Sequence, residues 1–194
     1  IVDEAGQLTE PGTLGAVNLA DRFVLVGDHQ QLPPVVQAEG DLDGADTADL
    51  TRSLFERLID AHPEASVMLD RQYRMAQRIQ AFASREFYDG QLRPATGAVA
   101  AQRIDDLDGV AMAGLPAHLR DGVAFVDPGG DQTGNTNPAE ADAVAEVVGA
   151  YRAAGVPAED IGVIAPFRAQ VAELNRRLPD VAVDTVDRFQ GSSK

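Results

Sequence analysis

The chain contains no cysteine. Disulfides, Cys-ligated zinc and iron–sulfur clusters are therefore excluded within it. Only three histidines are present, scattered at 29, 62 and 118, which argues against a His-based metal site. No run approaches the ~18 apolar residues that a membrane-spanning helix needs. The opening IVDEAGQ has neither the basic stretch nor the apolar region of a signal peptide, and it lacks an initiator Met. The expectation is a cytoplasmic segment excised from a longer chain. Lysine is almost absent: one Lys stands against 15 Arg. Lys depletion alone is equally a mark of a GC-rich genome. Set beside 21 Asp against 10 Glu, it points to a salt-adapted organism whose proteins keep a hydrated acidic surface. In molar salt the Debye length is ~3 Å, so self-repulsion of such a surface is largely screened. The net charge of −15 argues against nucleic-acid binding unless basic groups are concentrated locally.

What remains is ordinary globular material: 194 residues, 44% of them apolar. That is enough for one large domain or parts of two small ones. Short apolar runs alternate with longer amphipathic ones. Strands are expected at 22–27, 66–69, 123–126, 161–165 and 181–184. Helices are expected at 49–61, on Leu50, Leu54 and Leu58, and at 76–88, 137–154 and 168–178. Asn137-Pro138 is a helix-opening pair. Strands alternating with helices imply an α/β fold with parallel sheets. Residues 37–49 carry five acids and no base and read as a solvated loop, and 94–122 read as irregular. No internal repeat is visible.

Chemistry-bearing residues gather at the ends of the apolar runs. Asp3-Glu4 follows Ile1-Val2. A carboxylate pair at a buried strand end can hold Mg²⁺ through water and activate an attacking water. Taken alone in so acidic a chain, the pair is weak evidence and reads first as surface acids. Gly27-Asp28-His29-Gln30-Gln31-Leu32-Pro33-Pro34 closes the next strand; a Gln there can sense a γ-phosphate, or the segment is an ordinary Pro-closed loop. Leu69-Asp70-Arg71-Gln72-Tyr73-Arg74-Met75 leads into a helix. Its Arg74 can stabilise transferred-phosphoryl charge, or pair with neighbouring acids. Thr185, after the last strand, can hydrogen-bond a nucleic-acid phosphate.

In order, DEAGQ, GDHQQLPP, LDRQYRM, GVIAPFRAQ and VDTVDRFQG resemble motifs II, III and IV, the segment before V, and motif V of superfamily 1 helicases. The pattern is most similar to the 5′→3′ class, in the group of nonsense-mediated-decay RNA helicases and replication nuclease-helicases. It runs from residue 1 to 191. The resemblance implies a P-loop NTPase (RecA-like) fold, parallel sheets flanked by helices. Residues 1–62 would be the end of the first RecA-like domain and 63–194 most of the second, with ATP in the cleft between them. It implies that Asp3 anchors Mg²⁺, Glu4 is the catalytic base, Gln31 senses the γ-phosphate, and Arg74 is an arginine finger. Gly191 would lie near the γ-phosphate, while Pro166, Phe167 and Thr185 would face single-stranded nucleic acid. Arg71, Arg74, Arg78, Arg85 and Arg93 form one basic group and Arg168, Arg176, Arg177 and Arg188 another. They would line cleft and groove, although each singly is equally a surface ion pair worth ~0–1 kcal/mol.

The chain also departs from the family. It has no GxxxxGK(S/T) phosphate loop, which the family places before residue 1, and no motif VI. By itself it is expected to bind ATP poorly and hydrolyse none. Motif V continues Gly191-Ser192-Ser193-Lys194 where the RNA helicases have Gly-x-Glu, which favours DNA over RNA. Ala165 replaces the Thr that precedes the Pro in many members, removing one phosphate contact. Three functions stay open: an ATP-dependent helicase core, the helicase part of a helicase–nuclease, and a non-hydrolysing interaction module or decayed fragment.

Overall fold

The computed structural model describes residues 1–35, 52–129 and 134–190. The chain divides into two compact units, Ile1–Leu69 and Asp70–Lys194. The expected acidic loop at 37–49, with Leu50 of the expected first helix and Gly191, lies outside the described residues.

In the first unit, Val2 pairs in parallel with Leu25. Three backbone bonds hold the pairing: the Val2 N–H donates to Val24 O (2.9 Å), Val26 N–H to Val2 O (2.8 Å) and Ala5 N–H to Val26 O (2.8 Å). The expected strand at 22–27 is thus reduced to a single bridge, because no other described segment pairs with it. Phe23, Val24 and Val26 stay 42–56% exposed. Helix α1 (Glu10–Val17), which periodicity did not indicate, starts with Pro11 in its first turn. It has no apolar stripe and carries Gly12 and Gly15, each disfavouring a helix interior by ~1 kcal/mol relative to Ala. Helix α2 (Leu54–Ala61) begins later than the expected 49 because Ser53 caps it: the buried Ser53 hydroxyl accepts from the Glu56 N–H at 3.1 Å. Arg57 pairs with Glu10, tying α2 to α1.

The second unit holds two β-α-β arrangements. Strand β1 (Arg71–Gln72) pairs in parallel with β2 (Arg93–Pro94), in register Arg71↔Arg93. Helix α3 (Gln77–Phe87) makes the crossover. The buried Gln80 amide and Ser84 hydroxyl both donate to Leu92 O, at 2.6 and 2.9 Å, and so pin α3 to the start of β2. The apolar run 66–69 forms no strand; Val67 and Leu69 are at least 80% exposed, and pairing begins only at Arg71. The run 123–126 also lacks a strand partner among the described residues, leaving Phe125 exposed. The expected irregular stretch is short helix α4 (Gly97–Ala101) and three 3-10 turns, anchored by buried Leu115 and Leu119.

Helix α5 (Pro138–Ala153) starts where the Asn-Pro signal puts it. The Asn137 side chain accepts from the Glu140 N–H at 3.1 Å. Strand β3 (Gly162–Ile164) crosses through α6 (Arg168–Arg177) to β4 (Ala182–Asp184), parallel, with Val163↔Val183 at the centre. Short helix α7 (Val186–Phe189) follows. The core is Ala141, Val148, Ala165, Leu174, Leu178, Val181 and Val183. Buried Gln170 grips the start of α5: its Oε1 accepts from Asn137 N–H (2.9 Å) and its Nε2 donates to Asn137 O (3.0 Å). The molecule is therefore mixed α/β with small parallel sheets. Among the described residues no helix is long and apolar enough to cross a membrane.

Candidate functional site

Parallel pairing of Val2 with Leu25 sends both following loops out at the carboxyl end of the bridge, the end of parallel strands at which α/β proteins bind ligands. The two loops touch backbone to backbone. A Cβ on Gly6 would sit 2.7 Å from Asp28 O, and one on Gly27 would sit 2.8 Å from Gly6 N. Only glycine at both places allows this approach. It holds the Asp3-Glu4 loop against the loop of Gln31.

Glu4 has φ 51° and ψ 36°, a left-handed conformation that costs a non-glycine residue about 1–2 kcal/mol. The Glu4 N–H donates to Asp3 Oδ1 at 2.9 Å, and Gln7 Nε2 donates to Glu4 Oε2 at 2.8 Å. Both carboxylates are exposed. An exposed acid in a strained backbone, with its carboxylate oriented by an amide, is the kind of feature that clusters at functional sites. In the facing loop Asp28 is the organiser. Its Oδ1 accepts from the Gln30 N–H at 3.0 Å and its Oδ2 from Gln31 Nε2 at 2.8 Å. Gln7 and Asp28 stand in the DEAGQ and GDHQQLPP motifs, but nothing in the sequence assigned them a role of their own; the i,i+3 spacing Glu4/Gln7 and Asp28/Gln31 was the available signal.

In the second unit the turn after β1 carries Arg74. The half-buried Gln72 side chain spans this turn through three hydrogen bonds to backbone. The Arg74 guanidinium is exposed and makes no ion pair or hydrogen bond with a described residue. The bland alternative, an arginine neutralised by its neighbours, is therefore not met among the described residues. Most other arginines of the two basic groups are engaged: Arg71 with Asp70, Arg85 with Glu86, Arg176 and Arg177 with Glu173, and Arg188 with Asp184. Arg78 donates to Asp121 O at 2.7 Å.

Pro166, Phe167 and Thr185 come together at the carboxyl ends of β3 and β4, joined by Ala165 N–H to Asp184 O at 3.1 Å. Pro166 and Phe167 are exposed. Thr185 is buried, and its carbonyl accepts from Arg188 and Phe189 N–H at 3.1 Å each, opening α7. Gly191 lies outside the described residues.

Comparison with known proteins bears directly on these loops. Residues 50–194 match an AAA domain family model and residues 1–39 match a second AAA domain model. The chain belongs to the AAA domain family of superfamily 1 helicases. It is 34% identical over its whole length to a DNA replication ATP-dependent helicase/nuclease of Arabidopsis thaliana, covering 15% of that protein. It is 38% identical, again over its whole length, to the DNA-binding protein SMUBP-2 of Mesocricetus auratus, covering 20% of it. An ATP-dependent helicase of Methanocaldococcus jannaschii is 31% identical across 98% of the chain, which covers 29% of that relative. The chain thus spans well under a third of each of these relatives, and it is homologous to the segment they share.

Proposed function

We propose that this AAA-domain segment supplies part of the ATP-hydrolysing and strand-gripping machinery of a 5′→3′ helicase acting on single-stranded DNA. The observation that carries the reading is the pair of loops that follow the parallel Val2–Leu25 bridge. A strained Glu4, its carboxylate held by Gln7, stands on a loop locked by Gly6 and Gly27 against the loop of Gln31. In this reading residues 1–62 complete a first RecA-like domain and 63–194 make most of a second.

Each residue then has one task. Glu4 takes the proton of the water that attacks the γ-phosphoryl group of ATP. Gln31 donates a hydrogen bond to that group. Arg74 carries positive charge to the transferred phosphoryl oxygens. Phosphoryl transfer asks mainly for such positioning and charge neutralisation. Asp3 suits Mg²⁺, which takes one or two carboxylates and completes its shell with water and phosphate oxygens. The ion would offset the charge of the phosphates. Pro166 and Phe167 form the exposed edge that meets the nucleic-acid strand, with Thr185 buried behind them.

DNA is preferred to RNA because Gly191-Ser192-Ser193 stands where the RNA helicases have Gly-x-Glu, so that Ser193 takes the place of the Glu. Two of the relatives also carry DNA in their names. A helicase–nuclease is favoured by the identity to a protein named as one. The acid-rich, Lys-poor composition supports a molar-salt working medium. The test is ATP hydrolysis by the full-length protein in molar KCl, alone and with single-stranded DNA or RNA. The reading expects stimulation by DNA above RNA. Hydrolysis indifferent to both would overturn it.

A further inference from the structure

We infer that Gln72 is a positioning residue that sets the arginine finger, an assignment that rests on the role proposed for Arg74. Gln72 ends β1, and its carbonyl accepts from the Ala95 N–H at 2.8 Å, so its backbone is fixed to β2. Its side chain then reaches across the turn that follows. Oε1 accepts from the N–H groups of both Arg74 and Met75, each at 2.8 Å. Nε2 donates to the Met75 carbonyl at 2.8 Å. The two N–H groups fix which end of the amide is oxygen, and the carbonyl fixes which end is nitrogen.

The consequence is a turn closed on three sides. β1–β2 pairing holds it at Gln72, the buried Ala76 that caps α3 holds it beyond Met75, and the amide braces the middle. All three amide bonds go to backbone. The side chains of Tyr73 and Arg74 are left pointing outward; Tyr73 is 69% exposed and Arg74 is exposed without a described partner. The arginine therefore hangs from a braced backbone with its guanidinium available. Glutamine is the side chain that fits here. Asparagine is one methylene too short for the same reach, and glutamate supplies acceptors only, setting a carboxylate against the Met75 carbonyl.

An arginine finger acts on charge that develops in the transition state, so misplacing it lowers kcat rather than raising KM. A displacement near 1 Å costs up to about 100-fold. The experiment measures DNA-stimulated ATP hydrolysis by the full-length protein and its Gln72→Ala, Gln72→Glu, Arg74→Ala and Gln72→Ala/Arg74→Ala variants. Melting midpoints are recorded alongside. The expected result is a kcat lowered by roughly 10- to 100-fold in Gln72→Ala with little change in KM for ATP. Gln72→Glu, which keeps the two acceptor bonds, falls between it and the parent. The double variant is no slower than Arg74→Ala, because the brace has nothing left to position. An unchanged kcat in Arg74→Ala overturns the reading on which the assignment rests. A slowed Arg74→Ala beside a normal Gln72→Ala overturns the assignment itself. So do losses that multiply in the double variant, the signature of a general structural role. Should Gln72→Ala fail to fold, Gln72→Glu decides: parental kcat overturns the assignment, and an intermediate kcat with parental KM supports it.

Discussion

Replacing Gly6 by alanine tests whether the two loops of the first unit must be pressed together. The added methyl would sit 2.7 Å from the Asp28 carbonyl oxygen and 3.0 Å from its carbon, about 0.7 Å short of ordinary van der Waals contact. Both atoms are backbone, so no flexible side chain can swing away. Gly6 does not have a positive φ, and the substitution brings no conformational strain of its own. On entropy alone it would stabilise by about 0.4–1 kcal/mol. Overpacking at a backbone contact costs about 1–3 kcal/mol and outweighs that gain, leaving a net loss of about 1–2 kcal/mol. The forced separation also moves Glu4 relative to Gln31. At up to about 100-fold per ångström of misplacement, hydrolysis falls on the order of tenfold or more. The comparison is Gly15→Ala in α1, where a methyl meets nothing within 4 Å. That change removes a helix-interior glycine and stabilises by about 0.5–1 kcal/mol with hydrolysis intact. Melting midpoints and kcat of the full-length proteins, measured side by side, give the answer. Parental kcat in a Gly6→Ala protein that melts as high as Gly15→Ala would refute the reasoning.

Other consequences are equally specific. Glu4→Gly relieves the left-handed backbone, worth about 1 kcal/mol, while deleting the proposed base; the protein should melt higher and hydrolyse nothing. Gln170→Ala leaves the Asn137 N–H and carbonyl without their amide partner and should cost about 1–3 kcal/mol, seen as a lowered denaturation midpoint. The Arg177 guanidinium, hydrogen-bonded to Glu173, holds that carboxyl below its ordinary pKa. A depressed carboxylate contributes stability above its unfolded pKa and loses it as pH falls through the folded one. Glu173→Gln should therefore lower the melting midpoint at neutral pH. Its difference from the parent should shrink on the acid side of the usual carboxylate range.

Much of the second unit was legible because its signals are local. Asn137-Pro138 carries its own cap, and the strands at 161–165 and 181–184 and the helix at 168–178 fall within a residue or so of the observed β3, β4 and α6. The runs at 66–69 and 123–126 were not legible in the same way. Their apolar residues look buried, yet a strand needs a hydrogen-bonding partner, and none of the described residues provides one. Helix α1 went unnoticed because glycines at 12 and 15 break any apolar stripe. At the candidate site, Glu4, Gln31 and Arg74 were readable as residue types that phosphoryl chemistry uses. Gln7, Asp28 and Gln72 were visible only as members of their motifs, without a role, since their work is to grip carboxylate, amide or backbone groups whose positions exist only once the turns have closed. The burial of Thr185 was equally invisible: it depends on β4 and α7 closing around a residue whose type is at home on a surface.

The central claim is that Glu4 is the base of a DNA-stimulated ATPase. The most direct measurement is steady-state ATP hydrolysis by full-length Glu4→Gln protein in molar KCl with saturating single-stranded DNA. Glutamine keeps the length of the side chain but cannot take a proton from water. The expected kcat is lowered by about 10²- to 10⁴-fold with ATP still bound. A variant that hydrolyses ATP at the parental rate under DNA stimulation would contradict it.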